Sequence, residues 1–125
     1  MGNFKVVQLA NPSDRTAPKK YYARVVSSGD ITLTELSEMI ADISTVSRVD
    51  VLAVLEAFVM LMSRQLRNGK TVRLGNLGSF SLSGSSLGFD TEAEVNANSI
   101  KSVRVNFRPG REILDSLKTV KFTKV

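Results

Sequence analysis

Cysteine, histidine and tryptophan are all absent from this 125-residue chain. Without thiols there is no disulfide and no thiolate nucleophile; without imidazole, the commonest zinc ligand and the usual general acid–base pair are missing. Hydrolytic or metal chemistry would have to rest on scattered carboxylates. Proline is scarce, with three residues at positions 12, 18 and 109, and no apolar run approaches membrane-spanning length. The first ten residues lack the apolar core of a secretory signal, and Val6 stands where an N-myristoylation sequence needs Ser or Thr. The expectation is a cytoplasmic protein with no cofactor, no metal, no membrane partner and no enzymatic activity.

What is present is ordinary globular material: 42% hydrophobic and 23% charged residues, enough for one domain with a modest core. The net charge of +5 is unevenly spread. Residues 1–30 hold five basic and two acidic groups, 31–82 five of each, 83–101 one basic against three acidic, and 102–125 six basic against two acidic. Both ends are basic and the gap between them is acidic, a balance that suits a polyanionic partner without proving one.

Asn11-Pro12-Ser13-Asp14 and Ala17-Pro18 punctuate the first twenty residues. Phe4–Leu9 is therefore at most a short strand before a turn, and Tyr21–Val26 is a second strand-forming run that ends at Ser28-Gly29-Asp30. Thr32-Leu-Thr-Glu35 has the pattern of a capping box, and Leu33, Leu36, Ile40 and Ile43 recur at helical spacing behind it. Ser47-Arg-Val-Asp50 opens a second helix that Asn68-Gly69 closes. That helix is apolar nearly all round: Leu52, Leu55, Val59, Met62 and Leu66 form one stripe, Val51, Val54, Phe58 and Leu61 another. A domain this small has little to wrap it, so a second copy of the chain is the expected cover, giving an intertwined homodimer.

Beyond Gly69 the period changes to two. Val72 and Leu74, then Phe80 and Leu82 after a Gly75–Gly78 turn, then Val103, Val105 and Phe107 alternate with polar residues. Three strands thus bury one face on the helices and turn a face bearing Arg73, Ser81, Arg104 and Asn106 outward. Leu77 is expected to cap the core from the turn. Pro109 is expected at the first position of a last helix with Ile113, Leu114 and Leu117 as its apolar stripe.

The stretch Gly69-Lys-Thr-Val-Arg-Leu-Gly-Asn-Leu-Gly-Ser-Phe80, followed after a polar gap by Val105-Asn-Phe-Arg-Pro-Gly-Arg-Glu112, resembles the signature of the HU/IHF family of bacterial histone-like DNA-binding proteins. The Lys20-Tyr-Tyr-Ala23 lead-in looks like a longer branch with an N-terminal extension. The resemblance covers about residues 31–118. It implies an α+β, HU-like (IHF-like) fold: two N-terminal helices packed on a three-stranded antiparallel sheet plus a short C-terminal helix, in an intertwined dimer. Residues 1–30 would then be a strand-forming extension, 83–101 the equivalent of the family's arm, and 119–125 a basic tail.

The function the resemblance implies is nucleoid-associated and architectural: a dimer gripping double-stranded DNA through phosphates with little sequence preference. The candidate contacts are Arg73, Ser81, Lys101, Arg104, Asn106 and Arg108, with Gly110 and Arg111 where a glycine lets a backbone approach and a first helical turn offers free N–H groups. The arm departs from the family. Compact HU proteins carry a basic arm tipped by a proline that wedges between base pairs, whereas Gly84–Ile100 contains no proline, arginine or lysine and includes Asp90, Glu92 and Glu94. Leu87 or Phe89 could serve as an apolar wedge in that proline's place, but the leading expectation is that they pack on the body or on a partner subunit. The competing expectation is a protein-interaction or structural module on the same dimer, with reduced or lost DNA binding, in which the N-terminal extension pairs another protein along a strand edge. An enzyme using Glu35, Glu38 and Asp42 is the least supported, since such a run on a helix is usually a solvated face.

Overall fold

The computed structural model describes residues 1–125. The elements are β1 (Gly2–Leu9), β2 (Lys20–Val26), α1 (Leu33–Asp42), α2 (Arg48–Arg67), β3 (Val72–Arg73), β4 (Gly78–Ser86), β5 (Ile100–Pro109), α3 (Arg111–Leu117) and β6 (Phe122–Lys124), with two single 3-10 turns at Glu92–Glu94 and Ala97–Ser99. The architecture is mixed α+β, but it opens on strands and contains two three-stranded sheets, β2-β1-β6 and β3-β4-β5. The expected plan of two leading helices over a single sheet is incomplete to that extent. The chain divides into two units: 1–32 with 116–125, and 33–115.

In the first unit β1 and β2 form an antiparallel hairpin from Asn3↔Val26 to Leu9↔Lys20. The run expected to be a short strand at most is eight residues long, because the Pro12 and Pro18 turns fall beyond the last paired residue. The seven-residue tail is drawn in as well: β6 lies parallel to β1 over Gly2–Phe4, fixed by Gly2 N–H to the Lys121 carbonyl at 2.8 Å and Val125 N–H to the Phe4 carbonyl at 2.9 Å.

The second unit follows the hydrophobic periods. Ser47 caps α2, its hydroxyl accepting from Asp50 N–H at 3.2 Å. The far end closes with Gly69 N–H on the Leu66 carbonyl (2.9 Å) and Lys70 N–H on the Gln65 carbonyl (3.1 Å), the paired bonds of a Schellman stop. Helix α1 ends at Asp42, one residue short of Ile43, which is left exposed. Pro109 is the last residue of β5, opposite Gly78, and α3 starts two residues later; a residue with no N–H fits a ladder's final position as well as it fits a helix start.

Few apolar side chains are covered. Val51 and Leu66 are the only buried hydrophobic residues. Helix α2 lies against α1, β3 and β4, so Leu52, Leu55, Met62 and Leu66 of its first stripe are partly or fully shielded, while Val59 of the same stripe stays exposed. On its other stripe Val51 is buried, but Val54, Phe58 and Leu61 are open, Val54 at 65% and Leu61 at 47% exposed. On the apolar side of β5, Val103, Val105 and Phe107 are likewise exposed, although Phe107 stacks at 4.8 Å on Phe80. No helix is long and apolar enough to cross a membrane.

Candidate nucleic-acid interface

Strand register decides which polar side chains meet. Partners directly across a ladder share one face of a sheet. Arg73 lies opposite Ser79, and Ser79 opposite Arg108, so two guanidinium groups flank a serine in one cross-strand row. The same face continues along β4 and β5 with Ser81↔Asn106, Ser83↔Arg104 and Ser85↔Ser102. The Arg104 Nε donates to Ser83 Oγ at 3.3 Å, and the Ser85 and Ser102 hydroxyls share a 2.7 Å hydrogen bond.

Three properties make this face suited to an anion. None of the three strands contains Asp or Glu. Arg73 and Arg108 form no ion pair, whereas Arg48 on the helices is joined to Glu38 at 3.8 Å. A shallow depression of about 410 Å³ lies between Arg73, Ser79, Ser81, Asn106 and Arg108, and a neighbouring one of about 300 Å³ shares Arg73, Ser79 and Arg108. Convergent charged and neutral donors without a counter-charge are what phosphate oxygens require.

The expected contacts do not all gather there. Arg73, Ser81, Arg104, Asn106 and Arg108 share the face. Lys101 sits at the register shift where Ser85 pairs Ser102 but Ser86 pairs Ile100, outside the paired rows. Arg111 is the first residue of α3. Gly110 is engaged by the chain itself: its N–H donates to the Leu77 carbonyl at 3.0 Å. A Cβ added to it would collide with the Asn76 carbonyl oxygen. The close approach that glycine permits here is therefore to the 75–78 turn. Gly78, at φ +132°, likewise leaves no room beside the Arg108 carbonyl.

Alternation places Ser79 and Ser83 on the outward face with Ser81, but it did not mark them as candidate contacts, although each completes a row with an arginine. The signal was the β4–β5 register, which alternation alone does not supply. Leu77 is exposed at the turn rather than capping the core, because Leu74 N–H to Gly78 carbonyl and Leu77 N–H to Leu74 carbonyl close the loop by backbone alone.

The arm-equivalent segment is a short closed loop. Strands β4 and β5 run to Ser86 and from Ile100, and Leu87 N–H bonds to the Ser99 carbonyl at 2.9 Å. Asn96 and Ser99 form a reciprocal capping box around the second 3-10 turn. Leu87 and Phe89 remain 47% and 41% exposed rather than packed on the body of this chain. Of the α1 carboxylates, Glu38 serves the Arg48 bridge, and no cluster of three or more acidic side chains is placed to hold a metal ion.

A family model described as HU-HIG, "HU domain fused to wHTH, Ig, or Glycine-rich motif", matches residues 2–124. The chain belongs to the HU-HIG family. No curated protein matches it. Among solved structures, the HU-HIG chain resembles a candidate bacterial DNA-binding protein from Bacteroides vulgatus ATCC 8482, with a TM-score of 0.65 and 15% identity over 98% of this chain and 48% of the other. It thus spans about half the length of that solved chain, and at this identity the likeness concerns the fold.

Proposed function

We propose that this HU-HIG chain is a non-enzymatic, dimeric DNA-binding protein that holds duplex DNA by its phosphates with little sequence preference, in an architectural role at the nucleoid of the cytoplasm. The carrying observation is the Arg73–Ser79–Arg108 row, extended by Asn106 and Arg104, on a sheet face with no carboxylate. Family membership and the description of the Bacteroides vulgatus neighbour support the same polyanion. The exposed apolar stripes of α2 and β5 support the dimer, since contiguous apolar surface on this scale usually marks an interface. The acidic, proline-free loop leaves the work to the body of the protein.

The test is binding of an arbitrary fluorescent duplex across a salt series. Affinity should fall steeply with salt, and replacing Arg73 and Arg104 by Gln should reduce the log–log slope by about 1.8, at about 0.9 per lost phosphate contact. Salt-insensitive binding, or no binding at low salt, would defeat the proposal. The second reading, a protein-interaction module, is favoured by the unpaired outer edge of β2 in the order β2-β1-β6. A protein partner that co-purifies free of nucleic acid would select it.

A further inference from the structure

The terminal sheet carries a second concentration of positive charge. By the register of β1, β2 and β6, one face displays Phe4, Val6, Ala23, Val25 and Phe122 together with Gln8, Tyr21 and Lys124, and the other Lys5, Lys20, Tyr22 and Arg24 together with Asn3, Val7, Leu9, Val26 and Thr123. The first face is largely apolar. The second gathers every cation of β1 and β2, all of them exposed.

Lys5 and Arg24 are direct cross-strand partners. Like charges placed opposite each other weaken a ladder, yet neither side chain has an acidic partner, and Lys20 has none either. Along β2, Lys20, Tyr22 and Arg24 succeed one another at about 6.7 Å, the two-residue stride of a strand. Tyr22 stands between the two cations with 48% of its surface open, and its hydroxyl can donate to a phosphate oxygen. At the Lys20 end a depression of about 390 Å³ opens, with Lys20 and Tyr22 on its rim beside Pro12 and Pro18.

We propose that this face of the terminal sheet, through Lys5, Lys20, Tyr22 and Arg24, is a second contact surface for the phosphate backbone of duplex DNA. The assignment rests on the DNA-binding reading above and adds a site to it. An anion seated between Lys5 and Arg24 converts their repulsion into attraction. The chemistry repeats that of the β3-β4-β5 face: guanidinium or ammonium groups alternate with a hydroxyl, no carboxylate lies on the strands, and nothing reads a base edge. Such a surface recognises a repeating charge.

The experiment uses the full chain and an arbitrary duplex, with affinity followed against salt for the wild type, for Lys5→Gln/Lys20→Gln/Arg24→Gln, and for the charge-conserving Lys5→Arg/Lys20→Arg/Arg24→Lys. The glutamine variant should show a log–log slope shallower by up to about 2.7, from three contacts at about 0.9 each, with an undiminished melting temperature because the like-charge pair is gone. The charge-conserving variant should keep the wild-type slope. Single Lys20→Gln, whose cross-strand partner is Leu9, gives the same readout at about one third the size should the triple variant fold poorly.

An unchanged slope in the glutamine variants overturns this site while leaving the β3-β4-β5 face standing. Loss of the slope only in Arg73→Gln/Arg104→Gln does the same. Absence of duplex binding by the wild type at low salt overturns both. Loss of polyglutamate binding in the glutamine variants with duplex binding intact assigns the face to an acidic protein instead.

Discussion

Truncating Leu61 to alanine should loosen the proposed homodimer by about two orders of magnitude. Leu61 lies on the α2 stripe with Val54 and Phe58, and 47% of it is uncovered in the single chain. A buried Leu→Ala costs about 3 kcal/mol. Roughly half of that area is shielded within the protomer, so about 1.5 kcal/mol falls on association. A twofold interface contains each residue twice, which raises the loss to about 3 kcal/mol per dimer, or about 100-fold in Kd at 1.4 kcal/mol per decade. Sedimentation equilibrium over a concentration series measures it. Val49→Ala is the control: Val49 is 67% exposed, but it lies well off this stripe on the helical wheel and should leave Kd unchanged. A wild-type chain that sediments as a monomer at micromolar concentration, or a Leu61→Ala variant within threefold of wild type, would refute the reasoning.

Three other outcomes follow from the geometry. Gly110→Ala, and equally Gly78→Ala, drives a methyl group into backbone oxygen and should lower stability by about 3 kcal/mol, read as a drop in melting temperature; an unchanged transition would mean the turn and the β5 end are not apposed. Replacing Asp90, Glu92 and Glu94 by their amides should strengthen duplex binding at low salt if the loop lies near phosphate and leave it unchanged if not; weaker binding would show the acidic loop to be a contact in its own right. Asp14 has its pKa held below the usual 3.8 by the Thr16 hydroxyl and then by the Thr16 and Ala17 amides. A depressed carboxyl stabilises its turn above the unfolded pKa and loses that contribution as pH falls through the folded value. NMR shifts of Thr16 and Ala17 should therefore begin to move at a lower pH than those beside a free aspartate, and Thr16→Ala should bring the titration back toward 3.8.

Local chemistry made most of the second unit legible. The Ser47 cap, the Asn68-Gly69 stop and the switch from helical to two-residue period at Gly69 were visible because each depends on residues within a few positions. The outward face holding Arg73, Ser81, Arg104 and Asn106 came from the same alternation. What was hidden depended on pairing at long range. Nothing near Phe122 shows that a three-residue segment will lie parallel to Gly2–Phe4, because a parallel partner separated by the whole domain leaves no turn to read. The Ser79 and Ser83 rows needed the strand register, whereas Lys101 has the odd phase of Val103 and Val105 and not the even phase of Arg104, Asn106 and Arg108, and at the Ser85/Ser86 irregularity it has no cross-strand partner. Gly110 suggested a ligand cradle by type alone; only the fold shows the Asn76 carbonyl occupying that space.

Where the arms are closed and acidic, the energetics of any DNA complex change in kind. Bending a duplex site by 40–90° costs on the order of 1–6 kcal/mol, and a wedge between base pairs adds unstacking, both recovered only through extra surface wrapped. Here the segment that would wrap is joined by the Leu87–Ser99 bond and carries Asp90, Glu92 and Glu94, so extending contact along it brings repulsion in place of repayment. The contacts proposed above, the arginines of the β3-β4-β5 face and the cations of the terminal sheet, would gain their free energy from counterion release on a straight duplex as readily as on a bent one. Contacts indifferent to curvature cannot recover its cost. On the proposed reading, such a protein would hold DNA by coating its phosphates, and its occupancy should follow ionic strength and its own dimerisation rather than the deformability of the sequence beneath it.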